Sequence, residues 1–157
     1  MGKRSIKENK NIYFTSREEA GFTRAEASEL LEYIPAGRIE KIENEKQNAQ
    51  PADVLAMASV YQKPELCNYY CTHECPIGKE SMQETKDSPL PEIILGMIAS
   101  LNSLEKQKDR LIEITADGRI SDSELPDFVH IQKELDRISG TVDSLKLWVK
   151  KNLPADT

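Results

Sequence analysis

Two patterns of apolar positions divide the chain. In its last third, Leu90, Ile94, Met97, Leu101, Leu104, Lys108 and Leu111 step by four and three. Phe128, Ile131, Leu135, Ile138, Val142, Leu145 and Val149 follow the same rule without a miss. A repeat of this kind marks one stripe on each of two long helices, roughly 35 Å apiece at 1.5 Å per residue. Asp117-Gly118 lies between them and suits a turn, so residues 90–153 are expected to form an antiparallel helical hairpin. Ile93, Ile98, Ile112, Leu147 and Trp148 widen the apolar surface beyond a single seam. A second copy would cover that surface in a four-helix arrangement, so this region is expected to hold a homodimer. Packing of the hairpin on its own N-terminal part is the alternative.

Upstream the pieces are shorter, helical in character, and broken at Gly21, Tyr33-Ile34-Pro35, Gln47 to Pro51, and Pro64. Thr23 with Glu26 three residues on reads as a capping box, opening a helix whose apolar face is Ala27, Leu30 and Leu31. Pro35 opens another, with Ile39 and Ile42 on its buried side and Glu43 expected inside, either capping or paired with Arg17. Pro51 and Pro64 suit the first helical position, where a missing N–H costs nothing. Val54, Leu55, Ala58 and Tyr61 make one face of the helix after Pro51. Residues 79–89 lack apolar periodicity and read as a linker. The expected class is all-α: a polar basic arm over 1–10, a helical domain over 11–66, a Cys-rich segment and linker over 67–89, and the hairpin over 90–153.

The ordered series Arg17-Glu-Glu-Ala-Gly-Phe-Thr23 and Ile39-Glu-Lys-Ile-Glu-Asn44, followed by Pro51 and an Ala/Leu-rich helix, resembles the Cro-type (lambda-repressor-like, XRE) helix-turn-helix family. The resemblance covers about residues 11–66. It implies a five-helix DNA-binding domain of a transcriptional regulator, acting as a homodimer on palindromic double-stranded DNA, with one helix lying in the major groove. Carried over by position, Ala36, Gly37, Arg38, Glu40 and Lys41 would face the bases, Arg38 and Lys41 as donors to guanine. Arg24, Asn44 and Lys46 would meet phosphates. The chain departs from the pattern in places. The Leu31 to Pro35 turn is one residue longer than usual, two extra residues precede Pro51, and Ser16 stands at a more often aliphatic position. Glu45 stands where the family often has glycine, and Ala36-Gly37 offers bases little hydrogen bonding.

Charge changes this picture less than its total of −6 suggests. Residues 1–66 hold ten Lys/Arg and eleven Asp/Glu, a net of −1; the remainder holds eleven and sixteen, a net of −5. Within the first ten residues Lys3, Arg4, Lys7 and Lys10 face only Glu8. A global charge does not fix a local face, and DNA is not excluded.

Cys67, Cys71, His73 and Cys75 place three thiols and an imidazole within nine residues, a candidate metal set for zinc or an iron–sulfur cluster. A redox disulfide and plain small buried hydrophobes are the competing readings. Asp117 to Glu124 matches only the second half of a calcium loop, and a helix-connecting turn explains the same residues. No window reaches the length of a membrane span, no signal-peptide stretch opens the chain, and the cytoplasm is the expected location. No nucleophile motif, phosphate-binding glycine loop or carboxylate pair asks for catalysis, so no enzyme is expected. The competing function class is a protein-interaction module, antitoxin-like or anti-repressor, that keeps a helix-turn-helix as scaffold; a metal- or redox-responsive regulator is a refinement of the first.

Overall fold

The computed structural model describes residues 10–153, all of whose regular structure is helical. The expected basic arm, apart from Lys10, lies outside the described residues. The chain divides into two compact units, the first ending at Glu84 and the second beginning at Thr85.

In the first unit, local capping chemistry sets where each helix begins. The Asn11 side chain accepts from Phe14 N at 3.0 Å and starts α1 (Ile12–Glu19). Its amide also donates to Ile42 O, 2.8 Å away, at the far end of α3. Gly21, at φ +83°, takes the left-handed conformation that ends α1, a position where only glycine is unstrained. Thr23 and Glu26 then cap each other reciprocally and open α2 (Arg24–Leu30). Pro35 is the N-cap of α3 (Ala36–Glu43), and Pro64 is likewise an N-cap, one place before the first helical position expected for it. Pro51 begins α4 (Pro51–Val60), with a reciprocal cap between Gln50 and Asp53. Pro64 caps α5 (Glu65–His73), and Pro76 begins α6 (Pro76–Ser81). Gly78 lies against the carbonyl of Cys71, where a Cβ would have no room; that close approach seats α6 on α5.

These helices enclose one core, in which Ala27, Leu31, Ile34, Ile39, Ile42, Met57, Tyr61 and Leu66 are buried, with Tyr13 from α1. Two expected core positions are not in it. Leu30 is 52% exposed and Leu55 63% exposed, because Leu31 and Met57 occupy the inward azimuths of their helices. The Cys-rich stretch belongs to this unit up to Glu84, with Cys67 and Tyr70 packed against the core beside Leu66.

The second unit is α7 (Leu90–Thr115) and α8 (Leu125–Asn152). Contacts between Asp87 and Lys151 (2.6 Å), Gly96 and Thr141, and Arg110 and Asp127 (2.8 Å) nest within one another, so the helices run antiparallel. Gly118 (φ +71°) forms the turn, and Glu124 accepts from both the amide and the hydroxyl of Ser121 at the start of α8. That carboxylate is thereby used as a cap.

The seam differs in part from the expected stripe, by about one residue. On α7 the buried positions are Ile93, Ser100 and Ile114; on α8 they are Ile131, Glu134 and Leu147. Ser103, Gln107, Gly140, Thr141 and Ser144 are half-buried. Buried Ile131 and half-buried Ile94, Met97, Leu104 and Leu111 keep to the expected stripes and share the contact with small and polar residues, while Leu101 of the α7 stripe and the flanking Leu95, Ile98 and Ile112 turn outward. Leu101 is 48% exposed, Ile98 49%, Leu95 68% and Ile112 62%. A 3.5-residue stripe also drifts around a straight 3.6-residue helix, so no single line of large residues stays inward for 26 positions.

Candidate functional site

Three helices of the first unit meet at one carboxylate. Glu43, 2% exposed near the end of α3, accepts from Arg17 Nε at 2.6 Å and Nη2 at 3.1 Å, and from Arg24 Nε at 2.8 Å. Arg17 is itself buried in α1 and gives a further hydrogen bond to Phe22 O at 2.6 Å. Burial opposes the Arg17 charge, but the hydrogen bonds and field of Glu43 more than offset it and hold the guanidinium above its ordinary value. The pairing of Arg17 with an internal Glu43 is one of the two arrangements the sequence reading expected. Its effect is to lock α1, α2 and α3 in one rigid arrangement, because each charge loses its only full compensation if a helix shifts.

Tyr61 stacks beside this hub, 6.4 Å from the Phe22 ring, and among the described residues its buried hydroxyl has no hydrogen-bond partner. Burial pushes both Tyr61 and Tyr13 well above the ordinary phenol range, and for Tyr13 the hydrogen bond to Glu74 adds to the effect. The folded state therefore keeps these phenols protonated where the unfolded chain ionises them. Their contribution is complete below about pH 10 and is lost as pH rises, at about 1.4 kcal/mol per pH unit for each tyrosine. Urea unfolding at stepped pH above 9 is expected to show this fall in the first unit, and Tyr61→Phe is expected to remove about half of it.

The residues singled out by resemblance fall on the outer side of α2, α3 and the loop that follows, in two groups. Gly37, Glu40, Lys41 and Lys46 are exposed, and Ala36 is half-exposed. Arg38 and Arg24 are instead engaged within the unit. Arg38 Nη2 lies 2.6 Å from Asp53 Oδ2, and Arg24, besides its bond to Glu43, lies 3.7 Å from Glu40. Asn44 is the C-cap of α3. Glu45 follows at φ +58°, the left-handed position at which the family often has glycine. The sequence reading missed Asp53, whose place three residues after Gln50 at a helix start was the available signal.

The four residues of the candidate metal set are not gathered. Among the described residues no group of three His, Cys, Asp or Glu side chains could hold a metal ion. The reason lies in local packing: the His73 ring stacks on Tyr69 at 4.3 Å, with Nδ1 against Tyr69 O and the Thr72 hydroxyl. Cys67 packs on the core, and Cys75 serves as N-cap of α6. Among the described residues no disulfide joins the three cysteines. Also among the described residues, no helix is long and apolar enough to cross a membrane.

A feature with no counterpart in the sequence reading is an open cavity of about 470 Å³ between α1, α5 and the α3–α4 loop, lined by Tyr13, Tyr69, Tyr70, Glu45, Glu74 and neighbouring amide side chains.

No family model, curated protein or solved structure matches the chain.

Proposed function

We propose that the first unit is a Cro-type helix-turn-helix domain that binds double-stranded DNA, and that the chain is a transcriptional regulator. The observation carrying this reading is α3. It buries only Ile39, Ile42 and Glu43, is fixed to α1 and α2 through Glu43, and presents Gly37, Glu40 and Lys41 outward on a short rigid rod. That is the arrangement by which a second helix enters the major groove while the first crosses the backbone. The small Ala36-Gly37 start lets the helix approach bases closely. Asp53 holds the Arg38 guanidinium at the edge of this surface, and exposed Lys46 stands on the following loop for a phosphate.

The same reading makes the chain a homodimer through residues 90–153. The hairpin turns Leu95, Ile98, Leu101 and Ile112 outward while closing on Ser100, Ser103 and Thr141 within. Large apolar side chains left outside the pair suit a hairpin that completes its core with a second pair. Two domains held together place two α3 helices on a two-fold symmetric site and raise affinity without new contacts.

The test compares wild type, Arg38→Ala and Lys41→Ala on a selected duplex and on a scrambled one. A base-reading residue is expected to cost about 1–3 kcal/mol on the selected duplex only; equal weakening on both makes it a phosphate contact. No binding by wild-type protein to any duplex at low salt overturns the reading.

One observation favours a second reading, a protein-interaction module on the same scaffold. Arg24 and Arg38 are both engaged by carboxylates, and Glu29, Glu32, Glu40 and Glu45 are exposed on or beside α2 and α3. A stoichiometric protein partner recovered together with no shift of duplex DNA would establish it.

A further inference from the structure

The cavity between α1, α5 and the α3–α4 loop has the size of a small-molecule site, about 470 Å³. Its walls are specific in chemistry. The Tyr13 and Tyr69 rings meet edge to face, centroids 6.3 Å apart and planes at 87°, so they present two walls at right angles, and Tyr70 adds a third ring to the lining. Tyr69 is held in place by the stacked His73 ring, which also lines the cavity. Two carboxylates, Glu45 and Glu74, share the lining, and among the described residues no lysine or arginine does. Glu74 is itself fixed, accepting from the Tyr13 hydroxyl at 2.8 Å. Its field and that of Glu45 both reach the Tyr69 phenol, which burial first and these charges next raise above its ordinary value.

Aromatic faces with nearby carboxylates, in a lining that holds no lysine or arginine and one imidazole from His73, favour a positive ligand. The rings attract a cation through their negative faces and cover its alkyl groups, and the carboxylates supply the opposite charge. A bare metal ion would instead need a converging set of oxygen or nitrogen donors, which the described residues lack. We propose that this cavity is a binding site for a small alkylammonium cation. The site stands on the first unit's own geometry and does not depend on whether α3 reads DNA.

The test is titration calorimetry on the full chain with two probes, tetramethylammonium and putrescine, at constant ionic strength, with sodium as control. Binding of either probe with Kd at or below about 1 mM is expected. Tetramethylammonium binding the tighter identifies a quaternary cage, and putrescine the tighter a diamine site spanned by both carboxylates. Glu74→Gln keeps an acceptor for Tyr13 while removing charge, and Glu45→Gln changes an exposed residue. Each is expected to weaken binding about tenfold with the helical spectrum intact. Absence of heat with both probes, a sodium response of the same size, or affinity unchanged in both variants overturns the proposal.

Discussion

Replacing Glu43 with alanine is expected to lower the stability of the first unit by about 3–5 kcal/mol, the largest loss from any single substitution outside its apolar core. The side chain is fully buried and receives hydrogen bonds from two arginines. Its removal leaves Arg17 buried beside the phenol of Tyr61, with the Phe22 carbonyl as its remaining strong acceptor. Arg24 suffers less, since its side chain is 32% exposed and turns to water. Glu43→Gln retains an acceptor oxygen but sets an amide N–H toward a guanidinium, and an intermediate loss is expected. Replacing Arg17 and Glu43 together by apolar residues of similar volume is expected to recover much of the loss, because the burial cost of both charges disappears with their attraction. Urea unfolding followed by circular dichroism checks these values. The single tryptophan, Trp148, lies in α8 and reports the hairpin separately, and its transition should stay in place. A loss below about 1 kcal/mol for Glu43→Ala would mean that the hub does not fix the helices.

The second large effect is in the salt dependence of DNA binding. Two copies of Arg24 and Lys46 would neutralise four phosphates, which at about −0.9 per contact gives a log–log slope near −3.6, while neutral Asn44 adds a hydrogen bond without counterion release. Arg24 is already partly neutralised by Glu43 and Glu40, so its two copies release less counterion on binding and the slope should lie between about −2 and −3.5. Affinity is therefore expected to fall by about one to two decades between 50 and 200 mM salt. Lys46→Ala is expected to reduce the slope by about two in the dimer while leaving the preferred sequence unchanged. A flat response would contradict phosphate-led binding.

How much of this was legible in the sequence depended on whether the signal was local. Helix starts were readable because they rest on short-range chemistry: Thr23 with Glu26, and Pro51, each act on atoms within one turn. The buried Glu43–Arg17 pair was readable because a charge between Ile39, Ile42 and the helix end has few other places to go. Leu30, Leu55 and the hairpin seam were misjudged for one shared reason. Each helix offers two adjacent apolar azimuths, and which one turns inward is decided by the partner's shape, not by the helix's own pattern. On α7 Ser100 takes the inward place beside Leu101 because close approach of two helices favours small side chains at the contact. The cysteines illustrate the opposite error. Their spacing suggested convergence, but spacing says nothing of His73 preferring the face of Tyr69. The cavity escaped notice because its rings come from residues more than fifty positions apart.

The central claim is that α3 reads duplex DNA in a symmetric pair. Its most direct test is selection from a randomised duplex library by the purified full chain at low salt. The account predicts enrichment of a palindrome with half-sites about 10–10.5 base pairs apart, lost when Lys41 and Arg38 are both replaced by alanine. Recovery of unenriched sequences by folded, dimeric protein would contradict it.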